Sequence, residues 1–190
     1  MPKAKVKSKS KAKKSAKSND AIALLKADHR QVEDWFEQFE KARSGDRKLE
    51  LATKICKALT VHTRIEEEIF YPAFLEATED KGLHHEAEIE HDAAKALIKQ
   101  IEATSPDDEY YDAKVKVLSE MIKHHVKEEE QPGGMFAEAR DSDMDLEALG
   151  ERMKNRKLEL QGEDDPEGEM SPGARRKAGN AQVGRMARSG

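Results

Sequence analysis

His62-Thr63-Arg64-Ile65-Glu66-Glu67-Glu68-Ile69-Phe70-Tyr71-Pro72 reads as a helix that carries chemistry on its inner face. At 3.6 residues per turn, His62 and Glu66 fall one turn apart on the stripe of Ile55, Leu59, Ile69 and Ala73, which is predicted to be buried. Burying an ionised carboxylate without a partner costs on the order of several kcal/mol, so Glu66 needs a cation, a hydrogen-bond network or a raised pKa. The device recurs downstream. His125-Val126-Lys127-Glu128-Glu129 repeats the His-x-x-x-Glu spacing, with Leu118, Met121 and Ile122 one and two turns before it. Two inward His/Glu pairs point to a shared metal.

Working outward from these pairs, the apolar pattern predicts four long helices. Asn19 or Asp20 caps the first, whose stripe runs Ile22, Leu25, His29, Val32, Phe36, Phe39 and ends near Ser44-Gly45. The second starts near Asp46 and runs to Pro72, whose missing N–H and ring clash predict a kink or break, with Ala73–Thr78 continuing at an angle. Glu67 and Glu68 lie off the stripe and read as solvated, and Trp35 and Tyr71 as packing residues. A third helix from His84 to Ala103 lines up His84, Ala87, His91, Ala94, Ile98 and Ile101, with His85 rotated away. Ser105-Pro106-Asp107-Asp108 is a helix-start signal for the fourth, which carries Tyr111, Leu118, Met121, Ile122, His125 and Glu129 and stops at Pro132-Gly133-Gly134. His124, about 100° off that face, is expected to be exposed or to support a ligand.

Composition agrees with an all-α protein: 38% of residues are charged, 5% are aromatic, and no segment reads as a strand. The expected organisation is a basic disordered arm over 1–19, an up-down-up-down four-helix bundle with a short C-terminal helix on Leu146, Leu149 and Met153 over 20–160, and a disordered tail over 161–190. Charge is unevenly spread. Residues 1–19 carry eight Lys and no acid, and residues 161–190 balance five acids against five bases, so the net −5 leaves −13 on 20–160. That disfavours nucleic-acid binding by the bundle and confines any such contact to residues 1–19. Cys56 is the only cysteine, no apolar run approaches the roughly 18 residues of a membrane span, and the N-terminus lacks the apolar core of a signal peptide. A cytoplasmic protein is expected.

Each long helix thus offers one inward histidine, His29, His62, His91 and His125, and two add a carboxylate, Glu66 and Glu129. Imidazole and carboxylate without thiolate suit iron or manganese better than structural zinc. Six donors are too many for one four-coordinate zinc and too few to saturate two irons.

The pattern Asp28-His29, His62-x-x-x-Glu66-Glu67-Glu68-Ile69-Phe70-Tyr71-Pro72, Glu90-His91 and His125-x-x-x-Glu129 resembles the hemerythrin family in its bacterial cation-binding form, over about 22–140. The resemblance implies two non-haem iron ions with an oxo or hydroxo bridge, Glu66 and Glu129 bridging, and the four histidines as terminal ligands. Manganese is the alternative metal. Oxygen-carrying members have a histidine four residues before the third-helix ligand, where this chain has Ala87. With each iron about six-coordinate, that leaves about two positions open. His84, Glu88 or water fills the gap; His84 lies about 10 Å from His91 along the axis. An open site favours oxygen binding with redox chemistry, handling of peroxide or nitric oxide, or iron sensing over reversible carriage. The alternatives are a di-iron peroxidase or oxidase, a stress-associated module whose basic arm contacts DNA, and a metal-free bundle with its histidines satisfied by glutamates.

Overall fold

The structure, a computed structural model, describes residues 20–78 and 80–163, so the expectations for the basic arm over 1–19 and for the tail from 164 onward lie outside the described residues. The long helices are α1 (Ala21–Lys41), α2 (Gly45–Ile65), α4 (Lys81–Glu102) and α5 (Tyr111–Glu130). α2 continues through a π turn over Glu66–Phe70 into α3 (Tyr71–Thr78), and α6 (Met135–Asp141) and α7 (Leu146–Glu163) follow α5. α1 packs on α2, α2 on α4, α4 on α5 and α5 back on α1, which closes an up-down-up-down bundle. No strand occurs among the described residues. None of their helices is long and apolar enough to cross a membrane.

The caps follow from short polar side chains. Asp20 accepts from the Ala23 amide at 2.8 Å and Asp80 from the Gly82 amide at 2.8 Å, each satisfying a donor that the first helical turn leaves orphaned. The fourth long helix begins at Tyr111 and not at Ser105. Asp108 spends its carboxylate on the Tyr110 amide at 2.9 Å, so Ser105–Tyr110 closes as turns before the helix starts. After α5 the chain reverses at Gly133, whose φ of 77° favours glycine. At Gly134 a Cβ would lie 2.1 Å from the Glu128 carbonyl oxygen.

Pro72 does not end its helix, which runs on to Thr78. The π turn lies directly before it, with the Tyr71 amide bonded to the Glu66 carbonyl five residues back, so the helix absorbs one extra residue. Downstream positions are re-phased by that residue: Phe74 is buried where the unbroken period pointed to Ala73, and Tyr71 turns inward.

The core has two apolar ends with a polar layer between them. One end gathers Val32, Phe36, Phe39, Leu51, Ile55, Leu59, Ile98, Tyr111, Val115, Leu118 and Ile122. The other gathers Ile22, Leu25, Ile65, Phe70, Tyr71, Phe74, Met135, Phe136 and residues of α7. α7 is longer than the short helix expected, taking in residues 161–163, and it buries Leu149, Met153 and Leu160 against the bundle. The short helix α6 had no sequence signal beyond Met135-Phe136. It seats Phe136 edge-on to Phe70 at 5.8 Å and stacked on His29 at 5.8 Å. Phe136→Ala is therefore expected to cost about 3–5 kcal/mol of stability, measured by denaturant unfolding, because a fully packed ring leaves a cavity that helices on three sides cannot collapse into.

Candidate metal centre

The polar layer consists of His29 from α1, His62 from α2, Glu66 at the start of the π turn, His91 from α4, and His125 and Glu129 from α5, each no more than 5% exposed. All six residues singled out in the sequence are brought together. Their arrangement is paired. His29 Nε2 lies 3.1 Å from His62 Nε2, and His91 Nε2 lies 3.2 Å from His125 Nε2. Each carboxylate spans the two pairs. Glu66 places Oε1 3.3 Å from His62 Nε2 and Oε2 3.4 Å from His91 Nε2. Glu129 places Oε2 3.4 Å from His29 Nε2 and Oε1 3.6 Å from His125 Nε2.

The outward nitrogen of every histidine faces a further carboxylate. Nδ1 of His29 lies 2.8 Å from Glu130, of His125 2.7 Å from Glu90, of His91 3.0 Å from Glu67 and of His62 3.5 Å from Asp28, the last without hydrogen-bond geometry. Ionised carboxylates only accept, so the Nδ1 atoms in hydrogen-bond range carry the proton, and each such ring presents a bare Nε2 lone pair inward once any second proton is displaced. Cations hold these outer carboxylates in turn. Lys157 of α7 pairs with Asp28, Lys95 with Glu67 at 2.6 Å, and Arg30 with Glu130 at 2.6 Å. Glu67 is therefore a partner of His91 and not the solvated residue expected. Glu68 pairs with Arg156 at 2.7 Å on the surface, as a solvated residue does.

Tyr71 is the second correction. Its hydroxyl donates to Glu129 Oε1 at 3.4 Å and lies 3.2 Å from His91 Nε2, so it adds an oxygen to the His91/His125 half where Ala87 provides nothing. The sequence could not show this because the π turn moves Tyr71 onto the inner face. Ala87 is buried in the same cluster as Tyr71 and Met135, and neither Trp35 nor Tyr111 covers it. His84 stands behind the Tyr71 ring, with centroids 5.6 Å apart, and is not part of the buried group. His85 is exposed, and His124 is 61% exposed, 3.5 Å from Glu90.

Buried polar atoms normally find partners. Here both Glu66 carboxylate oxygens and Glu129 Oε2 have no hydrogen bond, and they sit among four convergent imidazole nitrogens. His29, His62 and Glu66 form one group of donors close enough to share an ion, and Glu66, His91 and His125 form another. Such a donor set fits cations: four imidazoles and two carboxylates converge with no lysine or arginine in the layer, and the protons the imidazoles hold are ones a metal displaces. Beside it, between Val32, Leu59, Ile122 and Val126, about 10 Å³ of free space remains, room for about one water-sized ligand.

A cation-binding four-helix bundle is the class of protein that this fold and donor set define. Residues 20–132 match the model of the hemerythrin HHE cation binding domain, and the chain belongs to that family. It is similar in structure to a hemerythrin HHE cation binding domain-containing protein from Mycobacterium kansasii, with a TM-score of 0.63 and 26% identity over 76% of this chain and 88% of the other. It is also 29% identical over 119 residues, 63% of its length, to a DNA nickase from Nostoc sp., of which it spans 33%.

Without metal, burial and the Glu66 charge push Glu129 above the ordinary carboxylate range. Burial would lower His62 and His125, but Glu66 and Asp28 hold the first up to about 10, and Glu129 and Glu90 hold the second up to about 9. Burial and the neighbouring His62 charge bring His29 down to about 4. Raised groups contribute stability that is complete below their unfolded value and lost as pH climbs through the folded one. The metal-free protein should therefore lose stability as pH rises from 6.5 through 9, whereas metal, which displaces those protons, binds more tightly over the same range. The gap in melting temperature between metal-loaded and chelator-treated protein is expected to widen between these pH values, as melting curves at stepped pH will measure.

Proposed function

We propose that the chain is a non-haem di-iron protein of hemerythrin type, whose centre takes oxygen, peroxide or nitric oxide and serves to handle or sense that ligand or iron itself. One observation carries this reading: Glu66 and Glu129 each divide their two oxygens between the His29/His62 pair and the His91/His125 pair, the geometry of carboxylates bridging two ions. His29, His62, His91, His125, Glu66 and Glu129 would hold the two irons, and iron bound there would supply one-electron and oxygen chemistry. Manganese suits the same donors.

The remaining residues set the conditions for that chemistry. Glu67, Glu90 and Glu130 fix three of the rings and raise their basicity, and Asp28 places a negative charge behind the fourth, His62. Phe136 covers the His29/His62 half, and the aliphatic wall of Val32, Leu59, Ile122 and Val126 keeps bulk water from both pairs. Tyr71 holds its proton near Glu129 and His91, and burial with the surrounding carboxylates pushes its pKa well up, so it acts as a donor at neutral pH. These features also suit a peroxidase or oxidase, which multiple turnover with a reductant would distinguish.

Aerobically purified, iron-reconstituted protein should contain about two irons per chain, because two paired donor sets share two carboxylates. One equivalent by metal analysis, or zinc taken in preference, would sink the dinuclear reading. Glu66→Ala and Glu129→Ala should lose most of the metal, while Glu67→Ala, which removes only a partner of His91, should weaken binding by about 10–100-fold. Tyr71→Phe should keep both irons yet alter the absorption spectrum and the rate with peroxide. An unchanged spectrum and rate would place the phenol outside the reaction.

A second reading concerns residues 1–19, whose eight Lys without an acid suit phosphate contacts, and the match to a DNA nickase favours testing it. A salt-dependent mobility shift with duplex DNA, lost on deleting residues 1–19, would support DNA contact through this arm.

A further inference from the structure

We propose that His84, His85 and Glu88, in the first two turns of α4, form a second and exchangeable metal site for a late first-row divalent ion such as zinc or copper, separate from the buried centre. The three residues occupy helical positions i, i+1 and i+4, and one donor atom from each lies within 4.8 Å of the other two. His84 Nδ1 and Glu88 Oε2 are 3.4 Å apart. Two ligand atoms about 2.1 Å from one ion in tetrahedral geometry are separated by about 3.4 Å, so this pair is already spaced to chelate. His85, whose ring lies 5.8 Å from that of His84, closes the third position by a side-chain rotation.

A second observation sets the cluster apart from an ordinary surface ion pair. His84 Nδ1 is buried and has no hydrogen-bond partner, although it faces the Glu88 carboxylate. An exposed pair would orient for a hydrogen bond or be solvated, whereas here a nitrogen withdrawn from water lies 3.4 Å from an anionic oxygen without bonding to it. The chemistry matches late first-row metals: two imidazoles and one carboxylate leave at least one position to water, and no thiolate is present to lock the ion in. His85 and Glu88 are exposed, and with Glu67, Ile89, Asp92 and Lys95 they line a surface depression through which a hydrated ion reaches them. An accessible three-ligand site exchanges its ion, unlike a buried one.

The site shares no donor with the buried group, because Tyr71 stands between them. Its ring meets His84 edge-on at 5.6 Å on one side and stacks on His91 at 5.4 Å on the other. His84, which the helical period places on the same line as His91, thus belongs to a different cluster on the far side of that ring.

Full-length, iron-loaded protein titrated with Zn²⁺ against a chromophoric chelator, with iron content and the absorption of the buried centre followed throughout, tests the proposal. One zinc should bind beyond the resident iron with no change in that absorption. His85→Ala and Glu88→Gln, both exposed and clear of Tyr71, should each weaken the zinc equivalent by about tenfold or more while leaving iron content unchanged. His124→Ala should leave zinc binding intact, since His124 groups instead with Glu90 and Glu128. The proposal is overturned if the wild-type chain binds no zinc, if zinc enters only as iron leaves, if binding survives both His85→Ala and Glu88→Gln, or if it disappears with His124→Ala. Loss of iron from the parent would count against the di-iron reading alone, whereas these outcomes concern His84, His85 and Glu88.

Discussion

Two carboxylates, Glu66 and Glu129, are buried beside each other at the centre of the bundle, and the rest of the molecule is arranged around the cost of that placement. Without compensation, like charges at this separation in a medium that screens them poorly force one to hold a proton, and the raised pKa of Glu129 records this. A cation bound among these donors would relieve both the repulsion and the desolvation. The bundle supplies the geometry by bringing four helices to one level, so that the carboxylates face each other across two pairs of imidazoles. The apolar core is divided in two for the same reason: the layer holding these groups can contain little else.

Stabilisation then spreads outward in rings of alternating sign. Imidazole nitrogens and anionic oxygens form the inner layer, four further carboxylates stand behind the histidines, and Lys95, Arg30 and Lys157 pair with three of those, Glu67, Glu130 and Asp28. The bracing follows a two-fold repeat. Asp28 precedes His29 but serves His62 on the next helix, as Glu90 precedes His91 but serves His125. Glu67 follows Glu66 and crosses to His91, as Glu130 follows Glu129 and crosses to His29. Every helix of the bundle is thereby tied to its neighbours through the site, so the acidic character of residues 20–160 is in part a consequence of the centre. α7 joins the same scheme through Lys157.

The bundle and its six inward donors were legible because both depend on a 3.6-residue period that apolar neighbours make visible. The doublets Asp28-His29, Glu66-Glu67, Glu90-His91 and Glu129-Glu130 were equally visible, but their pairing was not. A carboxylate one position from an inward residue looks solvated unless the helix it reaches is known. Glu67 was misread for this reason. Tyr71 and Phe74 were misplaced for another: a π turn inserts one residue without any local composition that marks it, and every later position is wrong by about 100°. Phe136 was missed because a seven-residue helix has too little length to show a period.

The same π turn accounts for the inequality of the two halves. The His29/His62 half is closed by the Phe136 ring, an apolar cover with nothing to donate. The His91/His125 half meets the Tyr71 hydroxyl, which the extra residue swings inward beside Glu129. Ala87 lies in the same buried cluster as Tyr71 and borders a small void with His125, Glu129 and Met135, so α4 offers no donor there and the phenol is the group that reaches this half. An imidazole at position 87 would have to enter a space of about 10 Å³, and close-packed interiors do not absorb such an excess without strain. A short side chain on α4 and a π turn that brings a proton-bearing oxygen in beside α2 thus act together, and they give the two halves of the centre different surroundings: a phenol on one, an apolar ring on the other.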